Sequence, residues 1–224
     1  MAKFITKFDT TAKLAAFSAT TNFGRPHVSL TKDDSKVHYF GDPYKGHKYV
    51  DLGLPSGTKW ATMNVGASSE TDYGNYYQYG KGAAQYAETS GDSIYSGTDD
   101  PLAASADTAV QVWGGQWHMP TIEQMQELID NTTYKWVENY KGSRINGGTF
   151  TAKNGAVLFF PAANSCDGGS QSDVGDYGDY WGSSPDGSDY AYCLFFNGSI
   201  SNPGFSDVES DDREYGFSVR PVVS

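Results

Sequence analysis

The sequence predicts an α+β fold, and three observations carry that prediction. Aromatic residues make up 15% of the 224 residues and glycines number 26, while hydrophobic residues reach only 38%. That balance suits a loop-rich β or α+β chain better than a helical bundle. One segment, "PTIEQMQELID", is the best helix, with the period of an amphipathic one, and several short apolar or alternating runs between glycine-rich turns read as strands.

Taken in order, residues 1–48 read as a small α/β module. "KFITKF" alternates like a strand, and "DTTAKLAAFSA" offers Asp9 or Thr10 as helix cap before Leu14, Ala15 and Phe17. "PHVSL" and "KVHYF" flank "TKDDS", which predicts a short hairpin, and "GDPYKGHK" reads as a linker. The main domain, residues 49–224, opens on "YVDLGLPSGTKWATMNVG", a strand–turn–strand pattern around Pro55–Gly57. Residues 80–108 are polar with little periodicity and read as a long surface insertion. In the helix, Thr121 and Gln124 form a capping-box pattern; Ile122, Met125 and Ile129 share a face, with Leu128 at its edge. Asn154–Gly155 between "TFTA" and "AVLFF" predicts a hairpin, and the apolar run predicts a buried central strand. "DYAYCLFF" and "YGFSVRPVV" supply two further strands.

Charge narrows the partners. The formal net charge is −11, and it is divided unevenly. Residues 1–48 hold seven Lys and one Arg against four Asp (+4), leaving eight basic and 23 acidic residues (−15) for the rest. An acidic main domain is repelled by phosphate backbones, so nucleic acid is not an expected partner. The first twenty residues contain no apolar run of signal-peptide length, and no run anywhere is long enough to span a membrane. The chain is therefore expected to fold in a cytoplasm without membrane insertion. Cys166 and Cys193 are too few for a disulfide scaffold or a structural zinc site.

No catalytic constellation is found. The four histidines show no HExxH spacing, there is no GxSxG elbow, and "GLPSGTK" is one residue too short between its glycines for a phosphate loop. Cofactors and a defined metal site are not expected. Residues 154–212 hold ten acidic residues and no Lys or Arg, which leaves room for a loop-bound calcium, but no ligand spacing specifies one.

One stretch stands out for its restricted vocabulary. "DYWGSSPDGSDYAYCLFFNGSISNPGFSDV", residues 179–208, mixes Tyr, Phe, Trp, Asp, Ser, Gly and Asn with no Lys, Arg, Glu, Gln or Met. Tyr, Ser, Gly and Asn are the vocabulary of antibody-like paratopes, where Tyr supplies stiff amphipathic area and Ser and Asn adapt their hydrogen bonds. Alternation along "YAYCLFF" puts Tyr192, Leu194 and Phe196 on one face, assigned to the core, and Ala191, Cys193 and Phe195 on the other. Cys193 and Phe195 are expected to face a ligand, because an exposed Phe implies a partner.

The ordered series "GTKWATMNVGA", "YGNYYQYG", "WGGQWHMPTIEQMQELI", "AVLFFPAAN", "DYWGSSP", "YAYCLFF" and "YGFSVRPV" resembles the major paralogous domain family of Bacteroidetes and Fibrobacter. That family is related to C-type lectins and formylglycine-generating enzymes, and the likeness covers residues 49–224. "KFITKF…NFGRPHVSL…KVHYF" is similar to leader modules on structural proteins of Bacteroides phages and prophages. The resemblance implies a C-type-lectin-like domain, with residues 1–48 as an attachment or oligomerisation module joining it to a virion or to neighbouring subunits. Homo-oligomers fit the same reading. It further implies a variable protein of a diversity-generating retroelement, made in a bacterial cytoplasm and carried on the virion surface as part of a phage tail.

In such proteins mutagenesis at template adenines, often in AAC codons, rewrites a C-terminal region. Its products include Asn, Tyr, Asp, Ser, Gly, Phe and Cys but never Lys, Glu, Gln, Met or Trp. On that reading Trp181 is fixed scaffold and Cys193 an Asn replacement. The implied variable region is residues 176–210. Its ligand-binding residues are Tyr177, Asp179, Asp186, Asp189, Tyr190, Cys193, Phe195, Asn197, Ser199, Asn202, Phe205 and Asp207, and the ligand is a bacterial surface protein or glycan. Trp60, Trp117, the helix from Thr121, Val157–Phe160, Trp181 and Phe217–Val222 form the implied scaffold. The chain departs from sugar-binding C-type lectins in lacking EPN, QPD and WND motifs. It departs from formylglycine-generating enzymes in lacking their close cysteine pair, so the expected function is binding without catalysis. The alternative is a fixed structural virion or surface adhesion protein.

Overall fold

The computed structural model describes residues 44–83, 94–167, 170–171, 174–198 and 204–224, together with the backbone of 28–30 and 37–39. The chain divides into two compact units, Met1–Gly46 and His47–Ser224, against an expected boundary between residues 48 and 49. In the first unit β1 (Val28–Leu30) and β2 (Val37–Tyr39) pair antiparallel, Val28 opposite Tyr39, as "PHVSL" and "KVHYF" predict. The strand and helix expected ahead of them lie outside the described residues. No helix among the described residues is long and apolar enough to cross a membrane.

The α+β expectation, with its C-type-lectin-like architecture, is overturned in the second unit, which is mostly β. Its described residues hold only two α-helices, α1 (Thr108–Val112) and α2 (Ile122–Asn131), of five and ten residues. Four small antiparallel sheets joined by long loops carry most of its regular structure. The first joins β3 (Tyr49–Val50), β4 (Lys59–Ala61) and β15 (Val222–Val223), with β4 central. A second, in the order β10-β9-β14-β5, contains β5 (Tyr77–Gln78), β9 (Ser165–Asp167), β10 (Ser170–Gln171) and β14 (Gly216–Phe217). The third is a meander of β6 (Thr132–Val137), β7 (Gly147–Ala152) and β8 (Val157–Pro161). The fourth, a meander of β11 (Tyr177–Asp186), β12 (Tyr190–Asn197) and β13 (Phe205–Asp212), contains the restricted stretch. β6, β7, β8 and β12 are rich in Thr, Val, Tyr, Phe and Trp, residue types that suit a pleated, half-buried surface.

Local chemistry explains most of the turns. Gly57 donates its N–H to the Leu54 carbonyl at 2.9 Å with φ of +80°, which makes "GLPSGTK" the turn between β3 and β4. The capping box on α2 is formed: the Thr121 hydroxyl accepts the Gln124 N–H, and the Gln124 side chain accepts the Thr121 N–H at 3.0 Å. Leu128, expected at the edge of the apolar face, is fully buried with Met125, while Ile122 and Ile129 are half-buried. Asn154–Gly155 does close the β7–β8 hairpin. The "AVLFF" strand is nonetheless at the sheet edge and β7 is central; Leu158 and Phe160 are buried in the core on one face, and Phe159, on the other, stacks on Tyr140. "YGFSVRPVV" is split between two sheets, because Arg220 turns inward between β14 and β15.

The core gathers Trp60, Met125, Leu128, Phe150, Phe160, Tyr180, Leu194 and Phe196. Phe196 is its hub, with Tyr180 stacked at 5.9 Å and Phe150 and Phe160 edge-on at 6.3 and 6.1 Å. Gly178, opposite Phe196 in the ladder, is required there: an added Cβ would enter the Phe196 ring. Arg220, fully buried, donates to Asn64 Oδ1 at 2.7 Å and to the Ala61 and Phe159 carbonyls, and lies 4.5 Å over the Phe160 ring. Burial lowers its pKa to about 10.

Residues 80–108 are not simply a surface insertion. Leu102, Ala106, Asp107 and Thr108 are buried, and Asp107 caps α1 by accepting the Val110 N–H at 3.0 Å and also accepts the Met119 N–H at 2.9 Å. A second buried arginine ties this segment down. Arg213 donates from Nε to the Tyr190 carbonyl, from Nη1 to Tyr95 and Gly97, and from Nη2 to Gly187, all within 2.7–2.9 Å. One guanidinium thus holds the β11–β12 turn against residues 95–97. Arg213→Lys cannot reproduce that planar fork and should cost about 2–3 kcal/mol in urea denaturation, with faster amide exchange around residues 187–190.

Candidate ligand-binding surface

The β11–β12–β13 sheet has two unlike faces. Ladder partners point to the same side, so Gly178, Tyr180, Leu194, Phe196 and Val208 turn toward the core and α2. The other face carries three cross-strand rows: Tyr177–Asn197–Phe205, Asp179–Phe195–Asp207 and Trp181–Cys193–Glu209. A bulge between Trp181 and Pro185 ends this regular register, after which Ala191 pairs with Asp211. The expected assignment of Tyr192, Leu194 and Phe196 to the core side therefore agrees with the structure, as does Phe195 on the opposite side.

Only part of that opposite face is open. Trp181 is covered: its ring stacks on Phe217 at 4.2 Å, meets Tyr79 edge-on at 5.5 Å, and donates from Nε1 to the Tyr77 carbonyl at 3.0 Å. Cys193, beside it, is 1% exposed. The expectation that Cys193 faces a ligand is corrected: it lies on the predicted face, but in the covered part. Burial, followed by the charge of Asp179, holds its thiol well above the ordinary value, and Cys193 is not in a disulfide. One row along, the cover still holds over Asp179 and thins toward β13. Phe195 is half-buried, flanked by Tyr177 at 6.0 Å and Phe205 at 6.4 Å, which are 40% and 44% exposed. A run of three neighbouring rings, two of them exposed, is unusual on a surface that has no partner.

Carboxylates border the rings. Asp207, Glu209 and Asp211 alternate along the same face of β13, and Asp179 faces them across Phe195 and Cys193. Asp179 is 7% exposed, and no described residue donates a hydrogen bond to it. Burial, then the charges of Asp211 and Glu209, pushes its carboxyl pKa up to about 7. Glu209 and Asp211 are also raised, chiefly by burial. The amide Oδ1 of Asn197 is buried and unpartnered on the same face. Among the described residues no three His, Cys, Asp or Glu side chains converge to hold a metal ion.

Of the twelve expected site residues, the structure gathers Tyr177, Asp179, Phe195, Asn197, Phe205 and Asp207. Asp186, Asp189 and Tyr190 lie at the opposite end of the sheet, around the β11–β12 turn; Tyr190, 47% exposed, is about 17 Å along the strand from Phe195. Ser199 and Asn202 lie outside the described residues. Glu209 and Asp211 belong to the face although the sequence reading did not place them there. The alternation "FSDVESDD" was their signal, with Val208 its only aliphatic member. Compared with protein-family models, curated proteins and solved structures, the chain matches none, so its resemblance rests on the motifs quoted above.

Proposed function

We propose that this chain is a non-enzymatic binding protein whose ligand surface is the open part of the outward β11–β13 face. The observation that carries the reading is the ring series Tyr177–Phe195–Phe205, open at both ends, beside the Asp179 carboxylate, to which no described residue donates a hydrogen bond. Rigid aromatic area with polar groups between is how paratopes obtain contact at low entropy cost. The proposed ligand is a macromolecule on a bacterial surface, and the proposed setting is a virion, with residues 1–48 as the attachment module. Display in many copies would multiply weak single contacts.

The proposal includes diversification of this surface, and the ladder sharpens its test. Sequencing the gene across isolates should find substitutions at outward positions 177, 179, 195, 197, 205 and 207. Positions 178, 180, 194 and 196, which face the core, should be constant. Variation blind to that alternation would overturn the reading and favour a fixed structural or adhesion protein.

A further inference from the structure

We propose, building on that reading, that the ligand the face accepts is a basic side chain, arginine or lysine, projecting from a protein partner. The orphaned acceptors point this way. Asp179 is more than nine-tenths buried, its carboxylate reaches solvent only at its edge, and no described residue donates a hydrogen bond to it, while the buried Asn197 Oδ1 on the neighbouring outward row is without a donor. Buried acceptors are costly unless something supplies donors, and arginine and lysine side chains supply only donors. The segment that forms the face supplies no cation of its own. Residues 154–212 contain no Lys or Arg, and Arg213, which follows, spends its guanidinium on the carbonyls of Tyr95, Gly97, Gly187 and Tyr190.

Charge and ring chemistry agree. Asp207, Glu209 and Asp211 make the face strongly negative, and a cation held over Tyr177, Phe195 or Phe205 gains a further attraction to the ring. A metal ion fits less well. Same-face side chains along β13 are about 7 Å apart, too far to converge on one ion with ligands at about 2.3–2.6 Å. An elongated side chain can instead place its donors at Asp179 while its stem lies along Phe195.

The test uses the full chain and small probes. N-acetyl-arginine methylamide and the lysine analogue are titrated while backbone amide resonances of residues 177–181, 193–197 and 205–211 are followed by NMR. The neutral citrulline analogue is the control. Saturable shifts centred on residues 179, 195 and 207 with the basic probes, at least tenfold weaker with citrulline, are expected. Asp179→Asn should weaken binding at least tenfold and Glu209→Gln about threefold, whereas Asp130→Asn on α2 should leave it unchanged. Thermal melts of each variant separate lost binding from lost folding, and the Glu209 variant alters an exposed side chain.

Equal binding of citrulline, no shift with any probe, or a stoichiometric shift of residue 179 with calcium chloride alone would overturn the proposal. If isolates still vary along the outward positions in that event, the binding face stands and only its cationic ligand falls. If they do not, both fall.

Discussion

Asp179→Asn is expected to stabilise the fold at pH 8 by about 3–4 kcal/mol while weakening ligand binding. The sign follows from the direction of the shift. The folded-state pKa of Asp179 is about 7 against an ordinary 3.8, so the native state holds the proton more tightly than the unfolded chain. Its contribution to stability is fully present below about pH 4 and is lost as pH rises through about 7. Wild-type stability should therefore fall between pH 4 and pH 8. The Asn variant should lose most of that slope, because it cannot ionise.

The titratable groups on the face with Asp179 are Asp207, Glu209 and Asp211 on β13 and Cys193 on β12; Tyr180, next to it in the chain, lies on the opposite face. Glu209 and Asp211 have raised values of their own, so a shallower slope of the same sign should remain in the variant. Urea denaturation of both proteins at half-unit steps of pH measures the difference directly. Equal stability at pH 8 would mean that a donor already neutralises Asp179, and the orphaned-acceptor reading of the face would fail. A site that costs stability until its ligand arrives is the usual compromise between folding and binding.

How far the sequence disclosed this arrangement depended on whether local chemistry or tertiary cover decided each feature. The α2 cap, the Asn154–Gly155 hairpin and the Gly57 turn were legible because each is set by residues within a few positions of one another. The faces of β12 were legible from period-2 alternation alone. What covers a face was not. Cys193 and Phe195 point the same way, and the arrival of Phe217 and Tyr79 over Trp181 buries the first while the second stays half-buried. Leu128 and Arg213 were misjudged or missed for the same reason: their partners lie far off in sequence, as in the bond from Arg213 to Gly97. The fold class is not legible because the one strongly patterned helix, α2, is only ten residues long, while a polar strand such as β13 carries almost no hydrophobic signal.

Trp181→Ala and Phe195→Ala form the second decisive pair, because the two side chains share a face of one sheet and differ only in what lies over them. Removing Trp181 takes away a fully buried ring, its stacking on Phe217 and the donor to the Tyr77 carbonyl. The expected cost is about 3–5 kcal/mol, since the layer formed by β5 and β14 can collapse only partly into the space. Phe217→Ala should fall in the same range, because it opens the same cavity from the other side. Phe195→Ala should cost about 1 kcal/mol. Its ring neighbours, Tyr177 and Phe205, are themselves exposed and can follow the surface inward. Equilibrium denaturation of the three variants under one condition ranks them. A Phe195 variant as unstable as the Trp181 variant would show that the outward row is scaffold rather than surface, and the binding face would have to be sought at Tyr190 and the β11–β12 turn instead.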